Sequence, residues 1–202
     1  MASSAFTQIL KAKHSIKLND AVGDIQDHRG DPGKDVVKVI LKSDGKSLNV
    51  TAVLKENISY YLVNHQASPV ITMHFDIDND TTTGGKPFWG KKSGFEYRVD
   101  LVACIKYKDG GLACLGSISA PIEGFCSSFK TYTYEQGKKS TKNIRSALES
   151  TQKDITGKQI EITFPYSEID VTPGQPIRIA IREYDSSYDD KSYFPEVLFT
   201  LK

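Results

Sequence analysis

Val36-Val37-Lys38-Val39-Ile40-Leu41-Lys42, then Ser43-Asp44-Gly45-Lys46, then Ser47-Leu48-Asn49-Val50-Thr51-Ala52-Val53-Leu54: residues 36–54 read as two strands around a turn. Asp-Gly is favoured in a two-residue hairpin loop because a type I′ turn needs positive φ at both central positions. With Asp44-Gly45 as the loop, Leu41 faces Leu48, Val39 faces Val50 and Val37 faces Ala52. Lys42, Lys38, Asn49 and Thr51 take the other face, with Ile40 and Val53 as exceptions. One face belongs to a core and the other to water, the pattern of an antiparallel sheet.

Moving outward, Tyr97 to Tyr107, Asp109-Gly110 and Leu112 to Ala120 repeat this logic. The turn predicts Tyr107 opposite Leu112, Ile105 opposite Cys114, Leu101 opposite Ile118 and Val99 opposite Ala120, an almost wholly apolar face. That register puts Cys104 and Cys114 on opposite faces and argues against a disulfide between them. The three cysteines (104, 114 and 126) then read as buried thiols packing as small apolar groups, with a single disulfide as the alternative. Further strands are predicted at Val70–Asp78, Ser128–Tyr134, Gln159–Phe164, Ile177–Tyr184 and Val197–Leu201. One short helix is expected near Asn143 to Thr151, from Ile144, Ala147 and Leu148 on one side. Pro165, Pro173, Pro176 and Pro195 exclude long helices from the second half. The fold class is all-β: an antiparallel two-sheet sandwich of roughly eight to eleven strands. Residues 1–18 lack clear patterning and read as an N-terminal arm or an edge strand, and residues 19–202 as one sandwich domain.

Composition narrows the function classes. Among 202 residues, 26 Lys and Arg balance 25 Asp and Glu, leaving no excess charge to attract nucleic acid or an anionic membrane. No apolar run is long enough to span a bilayer. The N-terminus carries no charged segment followed by an apolar stretch, so no signal peptide is expected in this chain.

The segment richest in chemistry is Phe75-Asp76-Ile77-Asp78-Asn79-Asp80-Thr81-Thr82-Thr83-Gly84-Gly85. Carboxylates at spacing two, followed by hydroxyls and glycines, suit a hard cation that takes oxygen ligands. It is no EF-hand, because Thr81 stands where that loop needs Gly and Pro87 where it needs Glu. The competing reading is a solvated turn whose Asp and Asn side chains satisfy local backbone groups. Face parity favours the cation. Ile71, Met73, Phe75 and Ile77 claim the core side of one strand and Tyr97, Val99 and Leu101 that of the next. Asp76, Asp78, Glu96 and Asp100 therefore project together to the opposite face, where like charges repel unless a cation joins them. Asp185, Ser187, Asp189 and Glu196 imitate the spacing of a second calcium loop, but Asp190 replaces the required Gly, and the stretch reads as a solvated loop.

Phe75 to Gly84, followed by Ser93-Gly94-Phe95-Glu96-Tyr97-Arg98-Val99-Asp100-Leu101, resembles the family 9 carbohydrate-binding modules and their DOMON-like relatives. Asp20, Gly23-Asp24-Ile25 and Asp35-Val36 upstream are similar too, as are Ile160–Pro165, Pro173-Gly174, Ile177–Asp185 and Asp190 downstream. The resemblance implies a jelly-roll-like sandwich with structural calcium (Ca2+), held at Asp76, Asp78 and Glu96 with Asp80 beside them. It also implies an exported protein, secreted or periplasmic. Sugar-binding members hold their ligand between two tryptophans, whereas this chain has only Trp89. Phe88 and Trp89, flanked by Lys86, Lys91 and Lys92, together with Tyr97 are the candidates for stacking on a sugar; the competing reading of Phe88 and Trp89 is a lid on the sandwich.

No Gly-x-Ser-x-Gly, phosphate loop or dinucleotide fingerprint occurs in a fitting context. A glycosidase needs two carboxyls in different environments, and these acids cluster in one loop. The expectation is a non-catalytic, calcium-stabilised binding module, with carbohydrate as the leading ligand class. The alternatives are a structural or adhesive sandwich that binds a protein partner and, behind it, a glycan-acting enzyme.

Overall fold

The computed structural model describes residues 9–20, 35–65, 69–85, 94–114, 121–135, 138–145, 153–183 and 194–202. Two sheets face each other. The larger runs β1 (Leu10–Lys13), β13 (Val197–Thr200), β12 (Pro176–Glu183), β5 (Pro69–Asp76), β6 (Tyr97–Tyr107), β8 (Ile122–Glu135) and β10 (Lys153–Asp154). Strand β7 (Leu112–Ala113) lies beside β6, and β9 (Lys138–Arg145) beside β8. The smaller sheet is β11 (Gln159–Pro165), β4 (Ser47–Leu54), β3 (Val36–Ser43) and β2 (Ser15–Asn19). Every ladder among the described residues is antiparallel except β1 on β13. The chain is an all-β two-sheet sandwich.

The core fills the gap between the sheets. Leu41, Leu48, Val50, Ala52, Ile160, Ile162 and Phe164 from the smaller sheet meet Ile71, Met73, Phe75, Val99, Leu101, Ile179, Ile181 and Phe199 from the larger. Phe164 joins the layers edge-on to Phe75 (5.9 Å between ring centroids) and tilted against Phe129 (5.7 Å). Each such fully buried side chain contributes about 1.5–3 kcal/mol relative to exposure.

The β3–β4 hairpin keeps its expected faces with a shifted register. Val39 pairs with Ala52 and Leu41 with Val50, because the turn centres on Gly45-Lys46. Asp44 Oδ1 accepts the N–H groups of Lys46 (2.9 Å) and Ser47 (2.8 Å), and Gly45 takes φ +100°. Each strand moves by one residue, so facing partners change while inward residues stay inward. Val37 is the exception: the register shifts between Val36 and Lys38, and Val36 rather than Val37 points into the core.

The second hairpin corrects a larger expectation. Tyr107 N–H donates to the Gly111 carbonyl (2.9 Å) and Gly110 N–H to that of Tyr107 (2.9 Å), with Gly110 at φ +85°. The loop is therefore three residues, Lys108-Asp109-Gly110, a length that calls for a left-handed third position. One extra loop residue reverses every following side chain. Ile105 pairs with Ala113, and Cys104 forms a disulfide with Cys114, the bond the two-residue turn argued against. Leu101 lies between Ile71 of β5 and Phe129 of β8, not opposite Ile118. Ile118 and Ala120 fall outside the described residues. Cys126 is a buried free thiol.

The helix expected near Asn143 to Thr151 meets a strand over its first residues. Asn143–Arg145 end strand β9, where Arg145 pairs with Thr131, so no helix begins there, and residues 146–152 lie outside the described set. Over Asn143–Arg145 the ladder with β8 is preferred to a helix nucleus, which is costly to form. Among the described residues the α-helix is α1, Ile58–His65, which buries Ile58, Tyr61 and Leu62 and exposes Tyr60.

Residues 10–19 join the two sheets. At His14, φ +63°, the chain leaves β1 for β2; its N–H donates to Thr200 of the larger sheet and its carbonyl accepts from Ser43 of the smaller, each at 2.9 Å.

Candidate metal centre

Phe75 on β5 pairs with Tyr97 on β6, so Asp76 and Glu96 are the next cross-strand neighbours. Glu96 N–H donates to the Phe75 carbonyl at 2.9 Å, which holds the pair in register. Beyond Asp76 the chain turns at Asn79, φ +58°, whose Nδ2 donates to the Pro176 carbonyl (2.9 Å). Gln175 Nε2 donates to the Ile77 carbonyl (2.7 Å). These ties fold Asp78 back over the strand ends. One carboxylate oxygen each from Asp76, Asp78 and Glu96 then lies within 4.8 Å of the others.

The return limb is as closely set. Gly85 and Phe95 exchange backbone hydrogen bonds of 2.8 and 3.2 Å. Gly84 sits at φ +60°, and a Cβ there would come within 2.5 Å of the Phe95 carbonyl oxygen and closer still to Glu96 Oε1. Only glycine fits beside the Glu96 carboxylate.

The three acids have different surroundings. Asp76 is fully buried, and its Oδ2 accepts Arg178 Nε (2.8 Å) and Nη2 (2.7 Å). The Arg178 guanidinium also lies 4.7 Å from the centre of the Phe95 ring. Asp76 Oδ1 is buried with no hydrogen-bond partner among the described residues. Burial raises the Asp76 carboxyl above its usual pKa against the pull of Arg178 and of the nearby Asn79 N–H, with the Asp78 charge adding to the rise. Half-buried Glu96 is raised by burial as well, with the Asp78 and Asp76 charges adding to it, while the Ile77 N–H on Oε2 (2.9 Å) acts the other way. Asp78 is exposed and accepts the Asp80 N–H (2.9 Å).

Thr83 completes the crowd. Its Oγ1 lies 3.1 and 3.0 Å from the two Asp78 carboxylate oxygens, 2.9 Å from the Asp80 carbonyl and 3.1 Å from Glu96 Oε1. A hydroxyl has one hydrogen to donate. Most of these oxygens therefore face one another's lone pairs. Two unit charges 4.8 Å apart repel by about 3.5 kcal/mol at an effective dielectric constant of about 20. A cation placed among them turns repulsion into coordination.

The structure thus brings Asp76, Asp78 and Glu96 together and leaves other candidates elsewhere. The Asp80 carboxylate turns away: its Oδ1 accepts the Thr82 N–H (2.9 Å) and hydroxyl (2.7 Å), which hold its pKa below the usual value. Asp100 lies further along β6, where it accepts Arg98 Nε (2.7 Å) and Nη2 (2.7 Å) and the Thr72 hydroxyl (2.8 Å). Tyr97 projects to the core side of β6, and its hydroxyl donates to Asp170. Phe88, Trp89 and the 185–190 loop lie outside the described residues. Arg178 was not anticipated. The apolar run Ile177, Ile179, Ile181 already placed it on the outer face, but only the pairing of β12 with β5 sets it against Asp76. Comparison with known proteins adds no relative: no family model, curated protein or solved structure matches this chain.

Proposed function

We propose that this protein is a non-catalytic binding module in which one calcium ion, held by Asp76, Asp78, Glu96 and the Thr83 hydroxyl, fastens the 77–96 connection to the larger sheet. The observation that carries this reading is Asp76 Oδ1, a buried carboxylate oxygen without a hydrogen-bond partner among the described residues, beside two further carboxylates. Buried polar atoms are nearly always satisfied, so an orphan at a cluster of oxygens favours a bound cation. Calcium suits the donors because all are oxygen, with no imidazole or thiolate in the group. The ion has a structural role, ordering a connection that presents its side chains to a ligand. Carbohydrate is the ligand class we assign, from the resemblance of Phe75–Gly84 and Ser93–Leu101 to carbohydrate-binding modules, with Trp89 and Phe88 as stacking surfaces.

Two measurements test this. Binding only to the folded state raises stability by mass action, about 2.7 kcal/mol at a hundredfold excess over Kd. Calcium should raise the melting temperature of verified metal-free protein, and Asp78→Asn should blunt the rise. Identical melting with and without calcium would reduce the site to a polar turn. A glycan array, repeated with Trp89→Ala, tests the ligand class; no glycan bound at millimolar concentration removes carbohydrate from the reading.

A further inference from the structure

The three cysteines of this chain stand in one row across three adjacent strands. Ile105 pairs with Ala113 on one side and with Phe125 on the other, so Cys104 has Cys114 as its cross-strand neighbour in one direction and Cys126 in the other. All three project to the same face: Cys104 and Cys126 are buried with Val102, and half-buried Leu112 and Cys114 pack against them. We propose that Cys104, Cys114 and Cys126 form a thiol–disulfide exchange site in which the Cys104 sulfur is handed between its two neighbouring strands.

The register puts Cys104 directly beside both partners. Tyr107 N–H points to the β7 side, where it meets Gly111, and successive N–H groups of a strand alternate in direction. Cys104 therefore directs its backbone groups toward β8. Its pairing with Cys114 is the non-hydrogen-bonded kind, and its pairing with Cys126 the hydrogen-bonded kind. The latter sets Cα atoms about 5.5 Å apart, inside the disulfide range, and the bond closes when the two Cβ atoms, held wider than in a non-hydrogen-bonded pair, draw in by about 1 Å. The order of the row matters too. Exchange requires the incoming sulfur to approach along the bond that breaks, and a nucleophile on β8, an acceptor on β6 and a leaving group on β7 lie along one line across the sheet.

The step balances without an oxidant. Cys126 loses its proton and its thiolate attacks Cys104 Sγ; the Cys104–Cys126 bond forms as the Cys104–Cys114 bond breaks. The electron pair of the broken bond leaves on Cys114 Sγ, which takes up a proton from solvent. Loop closure differs little between the isomers. Loops of 10 and about 22 residues differ about threefold in the chain-entropy model, so both are accessible. Burial pushes the Cys126 thiol above its usual pKa, with Lys106 opposing, so Cys126 rests as a thiol. Exchange moves the free thiol from the interior of β8 to the half-buried end of β7, where it can meet a small disulfide or a partner's thiol. It also frees β7, a strand with two ladder pairs, from its covalent tie to β6.

The test is a disulfide map. Native protein is incubated with a catalytic amount of reduced glutathione, quenched in acid, alkylated and digested. Both the Cys104–Cys114 and the Cys104–Cys126 linkages are expected, with free thiol divided between Cys126 and Cys114. In a glutathione redox buffer, C114S should form Cys104–Cys126 and C126S should keep Cys104–Cys114. C104S should keep two free thiols, because its remaining cysteines are two strands apart. Recovery of Cys104–Cys114 alone from native protein would overturn the proposal, as would a cooperatively melting C114S that retains two free thiols. Should C114S fail to fold, the native map decides.

Discussion

Arg178→Met tests how the buried end of the acidic cluster is held. Arg178 places two donors on Asp76 Oδ2, at 2.8 and 2.7 Å, and Asp76 is fully buried. Removing one partner of such a pair leaves an uncompensated charge and costs about 3–5 kcal/mol. Losing the guanidinium from the Phe95 ring adds about 1 kcal/mol. In chelator near neutral pH the variant should therefore lose about 4–6 kcal/mol, measured by urea unfolding through circular dichroism. That is a large share of the roughly 5–15 kcal/mol typical of folded domains. Replacing both partners, Asp76→Asn with Arg178→Met, should cost less than the sum of the single changes, because the buried Asp76 charge is gone and what remains is the loss of the Arg178 ion pair with buried Glu196 (3.8 Å). Calcium distinguishes the proposed site from an ordinary ion pair. A cation on Asp76 Oδ1 supplies the missing positive charge, so saturating calcium should return about 3 kcal/mol or more to Arg178→Met. A loss below about 1 kcal/mol in chelator would mean that Arg178 does not hold Asp76 ionised. A full loss that calcium leaves unchanged would mean that no cation reaches Asp76.

Gly84→Ala should cost at least about 1–2 kcal/mol from its left-handed backbone alone, and should abolish the calcium-dependent rise in melting temperature by displacing Glu96. A variant that melts and responds to calcium like the wild type would show that the Gly84–Gly85 limb does not set the Glu96 position. Tyr61 predicts a limit in alkali. Burial pushes its phenol up to about 12, and the Asp35 and Glu56 charges add to the effect. The folded state therefore keeps a proton that the unfolded state releases near pH 10, and stability falls as pH rises from about 10 toward 12. The stability advantage of wild type over Tyr61→Phe should shrink across that window in urea titrations; an advantage that does not change with pH would contradict the assigned environment.

Alternation was the most legible part of the sequence. Leu41, Val39, Leu48 and Val50 are inward residues whether the β3–β4 turn centres on Asp44-Gly45 or on Gly45-Lys46, because moving both strands together preserves parity. The same parity foretold that Asp76 and Glu96 share an outer face. Loop length is less legible, and it decided the cysteines: Asp109-Gly110 serves a two- or a three-residue loop, and only the hydrogen bonds of Tyr107 choose between them. Helix α1 was written at positions 58, 61 and 62, the spacing of a helix face, but Tyr60, Tyr61 and Val63 are strand-prone residues and eight residues nucleate poorly alone. Asp80 was indistinguishable from Asp78 by spacing. It caps Thr82 because the reversal at Asn79 separates the two carboxylates, a backbone choice that composition does not announce. Arg178 and Asp76 are 102 residues apart, and only strand order brings them together.

The crossing at His14 has a consequence for how the molecule behaves in company. Without residues 10–19, β3 would present Val36–Ser43 as an open border and β13 would present Val197–Thr200. A long apolar strand with free N–H and C=O groups is a template for pairing with another chain. The borders that replace them are short and carry exposed Lys13 and Lys17, with Ser15 and Asn19 also exposed. Charge at a sheet border discourages a second copy from docking. One ten-residue stretch thus covers one border of each sheet, and its detachment would open Val36–Ser43 and Val197–Thr200 to pairing with another chain.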